Sequence, residues 1–503
     1  MTYRPDTTAA VGYRPDTEAG VGVVPPPGCP AHAGQARFGG PARPAAQSLP
    51  LYGPEFAADP HLFYERLRQY GPIAPVELSP GVEAYLITSY SLALEVLRDT
   101  ERFAKDPRGW RALNEGRIPP DCPVGPMMMY RPNALFNDGE AHARLRGAIT
   151  DSLTRLDPYA LSEYVERSAD TLINAFADRG EADLLADYAA AIPLLVFNEL
   201  FGYPAEHGLR LVGTMARLFD SGEDAAEANQ ELLDYMAGLI AAKRRRPAAD
   251  ITSWMLVHPS QLADDELLQQ LMLILAAGTE PQLNLIANAL RLLLSDDRFA
   301  GELSGGSLPV QDAIDEVLWT DPPLANFGTR FARQDLDLAG VRIRQGEPIL
   351  TSYAAANNDP ELTSGGRLGN RAHLAWSIGA HRCPAESPAR VIASVAIEKL
   401  LDRLPDIELA VPVDQLAWRT GPFHRALVAL PVRFPVTARP TAAAVPAAVS
   451  APSAGSAPAP AAAPAEPHGS PRTAPAESDP PGQSARAAQR RRWGSLAAWW
   501  RGQ

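Results

Sequence analysis

Apolar residues recur at every third or fourth position in several segments of the chain, and this spacing predicts amphipathic helices. These segments are DPHLFYERLRQYGPI (59–73), ALEVLRD (93–99), LSEYVERSADTLINAFA (161–177), LLDYMAGLIAAKRRR (232–246) and ARVIASVAIEKLLDRLP (389–405). A longer segment, residues 264–297, has the same period but is apolar on nearly all sides in its middle. It therefore predicts a helix that runs through the core, with Asp264 or Asp265 as its N-cap.

Apolar and polar residues alternate in three other segments, as they do in half-buried strands. The segments are VEAYLITSY (82–90), LDLAGVRIRQGEPILTSY (336–353) and WRTGPFHRALVALPVRF (418–434). The region 49–437 is therefore predicted to be a mainly α-helical domain with small β-sheets.

The two ends of the chain have no such apolar period. Residues 1–48 contain the near repeat YRPDTTAAVG and YRPDTEAGVG, and 438–489 are almost entirely Ala, Pro, Ser and Gly, so both are predicted to be disordered. In 490–503, one helical face would carry Trp493, Leu496, Ala497 and Trp500 beside several arginines. Such a tail fits an anionic membrane surface or the groove of a partner protein, or is simply a sticky end.

Composition excludes some functions. The 503 residues are 46% hydrophobic and 21% charged, and the net charge of −13 argues against a nucleic-acid-binding protein. The three cysteines are widely spaced, which suits a reducing compartment without disulfides. Because neither a signal peptide nor a membrane span is apparent, we expect a cytoplasmic protein, with 490–503 able to reach the inner face of the membrane.

Cys383 lies in the segment HLAWSIGAHRCPAESPAR (373–390), between His381 and the start of a predicted helix. A cysteine here could bind zinc, attack a carbonyl, ligate haem iron or be a buried structural residue. The glycine at 379 would let the backbone approach a bulky group, and the helix N-terminus would favour the thiolate.

This segment resembles the haem-ligand loop of the cytochrome P-450 superfamily, Phe-Gly-x-Gly-x-His-x-Cys-x-Gly. Gly379, His381 and Cys383 are kept, whereas Trp376, Ser377 and Ala385 replace the Phe, the first Gly and the last Gly. The likeness extends over about 390 residues in the family's order. It implies a cytochrome P-450 fold that binds haem b (iron protoporphyrin IX), with Cys383 as the iron ligand and Trp376 beside the haem.

Two further segments resemble the family's haem-propionate sites. In DGEAHARLR (138–146), His142 and Arg146 are four residues apart and share one helical face. In GTRFARQDLDLAG (328–340), Arg330 aligns with another propionate partner. The resemblance implies that these three residues and His381 hold the propionates.

The segment LILAAGTEPQLNLIAN (273–288) resembles the family's distal helix, whose signature is Ala-Gly-x-Asp/Glu-Thr-Thr. Gly278 and Glu280 are kept, but Pro281 and Gln282 replace the two threonines. Pro281 has neither a hydroxyl nor an N–H with which to hold water. We therefore expect protons to be delivered by Glu280, Thr279 or Gln282 with water, and oxidation to be weakly coupled.

The family's Glu-x-x-Arg motif is also altered, because DEVLWTDPP (315–323) places Trp319 where the family has Arg. An indole offers one N–H and no charge. Since a buried unpaired carboxylate is costly, Glu316 is expected to find another cation, for which Arg367 is the candidate.

The resemblance implies a haem-thiolate monooxygenase that oxidises a small apolar substrate with dioxygen and electrons from a ferredoxin and its reductase. Two alternatives remain open from the sequence. One is peroxide-driven oxidation, since peroxide-using members of the family carry a proline at the position of Pro281. The other is a haem-binding protein without turnover, used for sensing or assembly, which the two altered motifs and the long tails would suit.

Overall fold

The computed structural model describes residues 48–119, 122–220, 225–296, 298–299, 310–362 and 369–436. The predicted leader up to residue 47, the linker 438–489 and the tail 490–503 lie outside these residues, as does Arg367. Within the described residues, the helices are α1 (Pro54–Ala58), α2 (Pro60–Arg68), α3 (Tyr90–Arg98), α4 (Arg111–Asn114), α5 (Gly125–Met128), α6 (Gly139–Leu153), α7 (Pro158–Phe176), α8 (Ala191–Leu200), α9 (Glu206–Asp220), α10 (Ala225–Arg245), α11 (Ile251–Leu256), α12 (Asp264–Ser295), α13 (Val310–Thr320), α14 (Tyr353–Asn357) and α15 (Glu386–Arg403).

Strands are short and fewer than helices in the described part of the chain. They are β1 (Leu49–Pro50), β2 (Ile73–Ser79), β3 (Val82–Ile87), β4 (Phe103–Ala104), β5 (Glu181–Asp183), β6 (Asn326–Ala332), β7 (Leu336–Leu338), β8 (Val341–Ile343), β9 (Pro348–Ser352), β10 (Glu408–Leu409) and β11 (Pro431–Arg433). The mainly α-helical architecture with small sheets is therefore confirmed.

The largest sheet has the strand order β1-β2-β3-β9-β6-β4. Strand β6 pairs antiparallel with both β9 and β4, and every one of its residues is buried. The sheet thereby places Arg330, on β6, beside the short strand β4 and the residue that follows it. Two smaller sheets, β10-β11-β5 and the hairpin β7-β8, complete the β structure of the described residues.

Helix α12 forms the centre of the domain and packs against α8, α13 and α15. All nine residues from Gln282 to Leu290 are buried, which confirms a helix surrounded by the core. The predicted N-cap was wrong, because the cap is Ala263, whose N–H donates to the Glu266 carboxylate (3.0 Å). Asp264 and Asp265 instead lie in the first turn, where negative charge complements the helix dipole. The helix continues without a break through Pro281.

The alternating segment 418–434 forms less strand than its pattern predicts. Only Pro431–Arg433 is a strand, and isolated bridges join Trp418 to Leu427 and Leu324 to His424. Proline cannot donate to a β-ladder, so Pro422 limits regular pairing here. No helix among the described residues is long and apolar enough to cross a membrane.

Candidate active site

Cys383 ends a tight turn between α14 and α15, and backbone hydrogen bonds within the chain hold this turn. Its N–H donates to the Trp376 carbonyl (2.8 Å), and a single 3-10 turn spans Gly379–His381. Gly379 has a φ of 73°, and a Cβ there would lie 2.6 Å from the Leu97 carbonyl oxygen. A close approach that requires a glycine here is therefore the one to the end of α3.

Several groups around the Cys383 sulfur shift the pKa of its thiol in opposite directions. Burial raises the pKa of the Cys383 thiol, whereas the Ala385 N–H and the Arg146 guanidinium lower it. Helix α15 begins at Glu386, so its N-terminus is adjacent to the sulfur. Arg146 on α6 also donates to the Arg382 carbonyl, which ties α6 to the cysteine turn. The Ala385 N–H, the Arg146 guanidinium and the N-terminus of α15 favour the thiolate form of Cys383 once a cation is bound to the sulfur.

A large cavity, lined mainly by apolar groups, separates the cysteine turn from α12. Of the residues predicted for the site, most line this cavity: Arg146, Gly278, Glu280, Gln282, Arg330, Trp376, His381 and Cys383. Thr279 and His142 do not. The structure therefore brings a thiol, two guanidiniums, an imidazole and a carboxylate to one cavity, from helices and strands distant in sequence.

Buried donors without partners lie around the cavity. His142 Nε2, Arg330 Nη2 and Trp376 Nε1 have no hydrogen-bond partner among the described residues. The rings of His142 and His381 are 4.1 Å apart between centroids, and burial lowers the pKa of His381 to about 3. Unsatisfied buried donors are costly, so these groups fit a ligand that brings carboxylates. Together with the thiol, they are the donor set that a haem with two propionates would use.

The three predicted proton-relay residues have different surroundings on α12. Thr279 Oγ1 donates to the Leu275 carbonyl (2.7 Å), so its hydroxyl faces its own helix. Gln282 Nε2 donates to the Ala389 carbonyl (3.0 Å) and links α12 to α15. Glu280 is buried, and its Oε1 accepts hydrogen bonds from Arg419 and from Asn284 (3.2 Å).

Glu280 Oε2, by contrast, has no hydrogen-bond partner among the described residues. Glu280 itself lines the cavity, and Oε2 is its unpaired carboxylate oxygen. Of the three predicted residues, Glu280 is the one whose side chain has an unpaired polar atom.

At the altered Glu-x-x-Arg motif, the burial of Glu316 differs from our expectation, whereas Arg367, its expected partner, lies outside the described residues. Glu316 is not a deeply buried carboxylate: its side chain is 25% exposed and lies 3.7 Å from Arg298. The buried acid is its neighbour Asp315, 2.5 Å from Arg390 and 3.0 Å from Arg371. The motif aligned Glu316 with the buried position, but the rotation of α13 points Asp315 toward α15.

Two residues that line the cavity escaped the sequence interpretation. Lys105 is 4% exposed, and His424 has an unpaired Nδ1 and a pKa lowered to about 3 by burial. Lysine occurs only at 105, 243 and 399 in this arginine-rich chain, and that rarity was the available signal for Lys105.

Comparison with known proteins defines the class. The chain is 30% identical to 2-hydroxy-5-methyl-1-naphthoate 7-hydroxylase of Streptomyces carzinostaticus, over 75% of this chain and 95% of that protein. It is 32% identical to the cytochrome P-450 monooxygenase PikC of Streptomyces venezuelae, over 78% and 95%, respectively. It is also 32% identical to the mycinamicin IV hydroxylase/epoxidase of Micromonospora griseorubida, over 73% and 94%. No protein-family model matches.

Solved structures agree with this class. CYP154C4 of Streptomyces sp. ATCC 11861 superposes with a TM-score of 0.69 at 29% identity, covering 77% of this chain and 98% of that one. CYP154A1 of Streptomyces coelicolor A3(2) gives a TM-score of 0.66 at 28% identity, covering 77% and 100%. The fold and site thus define a haem-thiolate oxidoreductase.

The chain belongs to the bacterial cytochrome P-450 family. It is a monooxygenase of that family, with haem b as its cofactor. The alternative of a haem-binding protein without turnover is not supported by these relatives, which are hydroxylases and monooxygenases.

Proposed function

We propose that this protein oxidises a small apolar molecule bound in the cavity between α12 and the cysteine turn. Cys383 would ligate the haem iron, and His142, Arg146, Arg330 and His381 would hold the propionates. Haem-thiolate iron, when bound, supplies the activation of dioxygen by two electrons and two protons. The electrons would come from a ferredoxin and its reductase in the cytoplasm. The protein's own residues position the substrate and deliver the protons.

Apolar groups of the cavity wall support an apolar substrate. Beyond the polar groups already described, aliphatic and aromatic side chains dominate the wall near α12 and α8: Leu135, Ile149, Phe197, Leu200, Ile274, Leu285, Leu324 and Phe327. Burial of apolar area contributes about 25 cal/mol per Å² to binding, whereas a polar group would need a partner. The relatives' names include a naphthoate, a mycinamicin and vitamin D3, so they act on different molecules.

The observation that carries the proton-delivery part of the proposal is the free Oε2 of Glu280. Pro281 cannot hold water by a hydroxyl, but the carboxylate one residue earlier lies in the cavity wall. Arg419, whose side chain is 30% exposed, reaches the other oxygen from the outside. Protons would therefore pass from solvent near Arg419 to the Glu280 carboxylate, and from Oε2 to water in the cavity.

Turnover with a surrogate ferredoxin and reductase tests this function, with NADPH consumption, product and hydrogen peroxide measured for a panel of apolar compounds. Wild-type protein should form an oxidised product from at least one compound, with part of the NADPH lost to peroxide. Glu280→Gln should reduce product per NADPH about 10-fold or more, because a general acid–base group contributes at least that much. Pro281→Thr should raise the amount of product per NADPH.

A matched control is Glu163→Gln, because Glu163 lies on the exposed face of α7, where its side chain is 75% exposed. Unchanged coupling in Glu280→Gln, or an equal loss in Glu163→Gln, would remove Glu280 from the relay. Absence of any oxidised product with apolar compounds, while polar compounds are turned over, would refute the substrate class.

A further inference from the structure

Lys105 lies where the sheet meets the cavity. It follows β4, and β4 pairs antiparallel with β6 through Phe103–Ala332 and Ala104–Phe331. This pairing brings Lys105 beside Arg330, the residue of β6 that precedes Phe331. The lysine is 4% exposed, and its side chain lines the cavity with Arg330 and His381.

The ammonium of Lys105 has no hydrogen-bond acceptor among the described residues. Its Nζ lies 4.4 Å from the centroid of the Phe327 ring, a cation–π contact. Asp138 is the nearby acid, but its carboxylate accepts from the backbone N–H of Lys105 (3.0 and 2.9 Å) and of Asp106 (3.0 Å). It also lies 3.4 Å from Arg333. Asp138 is therefore occupied by other donors.

These surroundings destabilise the charged form of Lys105. Burial lowers the pKa of Lys105 well below its usual range, and the Arg330 guanidinium lowers it further, while Asp138 opposes both. A cation–π contact offsets only part of the cost of burying a charge. An anion in the cavity would supply the missing partner for Lys105 and for the unpaired Nη2 of Arg330 at once.

We propose that Lys105 is a carboxylate-binding residue of the cavity, acting with Arg330 on the same carboxylate. Two molecules could bring this group: the haem, through a propionate, or a substrate that is itself a carboxylic acid. The position of Lys105 beside Arg330 and His381 favours the propionate. The inference rests on haem being bound, and it is independent of which molecule is oxidised.

The first experiment measures haem binding in the holoprotein, without turnover. Lys105→Met keeps the length of the side chain and removes its charge. If the propionate is the ligand, haem should transfer to excess apomyoglobin about 10- to 100-fold faster, the range for one lost charged hydrogen bond. The propionate bending band in the resonance Raman spectrum should shift as well, whereas Lys105→Arg should restore both properties toward wild type.

Lys399→Met is the matched control, because Lys399 lies on α15 and pairs with Asp170 (3.1 Å). It should leave the haem-transfer rate and the Raman band unchanged. Lys105→Arg also guards against a folding defect in Lys105→Met, because it tests the charge in a second variant.

The second experiment distinguishes the two sources of carboxylate. Decanoate and decanol are titrated into wild-type and Lys105→Met holoprotein, and binding is followed by the Soret absorption change. A substrate site predicts that decanoate binding weakens about 10-fold in the variant while decanol binding and haem transfer stay the same. If neither haem transfer, nor the Raman band, nor decanoate binding responds to Lys105→Met, the lysine binds no carboxylate and the proposal is wrong.

Discussion

The carboxylate of Asp315 lies 2.5 Å from the guanidinium of Arg390, and both side chains are only 11% exposed. Asp315 is on α13 and Arg390 is on α15, the helix that begins three residues after Cys383. Arg371, 3.0 Å from the same carboxylate, joins the segment before the cysteine turn to this pair. The contact therefore connects both sides of the cysteine turn to α13.

Asp315→Asn should destabilise the protein by about 3 kcal/mol, because removing one member of a buried ion pair leaves the other charge unpaired. Glu316→Gln, at the adjacent but more exposed position, should change stability by less than about 1 kcal/mol. Urea unfolding and the reduced, carbon-monoxide-bound spectrum measure folding and haem retention. A Glu316→Gln loss as large as that of Asp315→Asn would return the buried role to Glu316.

Trp319 occupies the position of the family's arginine without supplying its charge. Its indole Nε1 donates to the Asn370 carbonyl (2.7 Å), and its ring meets His373 edge-on, 5.7 Å between centroids. Trp319→Phe should cost about 1 kcal/mol for the hydrogen bond, whereas Trp319→Ala should cost about 3–5 kcal/mol for the packing. Equal losses in the two variants, measured by thermal unfolding, would show that the hydrogen bond and not the ring matters.

Two local features of the site could be predicted from the sequence. The apolar period of α12 predicts its burial, and the turn from Trp376 to Cys383 is recognisable from its resemblance to the family's haem-ligand loop. The orientation of a helix about its own axis depends on the elements that it packs against, and is harder to predict from neighbouring residues. Asp315 and Glu316 are neighbours, and only the packing of α13 against α15 decides which of them is buried.

The pairing of strands that are distant along the chain could not be predicted from the sequence either. Lys105 and Arg330 are 225 positions apart, and the β4–β6 pairing that brings them together leaves no mark in either segment. Thr279 illustrates the same limit at a shorter range. Its place beside Glu280 suggested a hydroxyl for proton transfer, but the helical geometry lets that hydroxyl donate to the Leu275 carbonyl.

Gly379 and Gly340 have similar backbone angles, with φ of 73° and 80°, but different surroundings. A Cβ at Gly340 meets nothing within 4 Å, whereas one at Gly379 meets the Leu97 carbonyl oxygen at 2.6 Å. Gly340→Ala should therefore cost about 1 kcal/mol, the strain of the left-handed region alone. Gly379→Ala should cost more and reduce haem retention, because the cysteine turn must move away from α3.

Both glycine variants are compared by thermal unfolding and by the height of the carbon-monoxide band per mole of protein. If Gly379→Ala retains haem and matches Gly340→Ala in stability, the contact with Leu97 does not hold the turn.

His373 makes stability depend on pH. Burial, together with the nearby Arg390, lowers the pKa of His373 from 6.5 to about 4, although Asp315 partly opposes the shift. Between these two values the unfolded chain binds a proton that the folded protein does not, so stability is complete above pH 6.5 and falls as the pH approaches 4. This residue contributes up to about 1.4 kcal/mol per pH unit to that slope, or about 3 kcal/mol in all.

His373→Phe keeps a ring against Trp319. Between pH 4 and 6.5, it should lower the slope of unfolding free energy against pH by an amount that corresponds to at most one proton taken up on unfolding. Urea unfolding at several pH values measures it. An unchanged slope in His373→Phe would mean that this imidazole titrates alike in the folded and unfolded states.

Substitutions at Gly278 and Phe197 test the packing of the cavity wall between α12 and α8. A Cβ at Gly278 would lie 2.2 Å from Cζ of the Phe197 ring, so Gly278→Ala must displace that ring. Since Phe197 lines the cavity, the variant should lose about 1–3 kcal/mol of stability and bind apolar ligands differently. Phe197→Leu removes the ring edge, and the double variant should be less destabilised than the sum of the two single variants. Thermal unfolding of the four proteins, with Soret titrations of one apolar ligand, measures the coupling. Strict additivity would show that α12 accommodates the methyl group without moving Phe197.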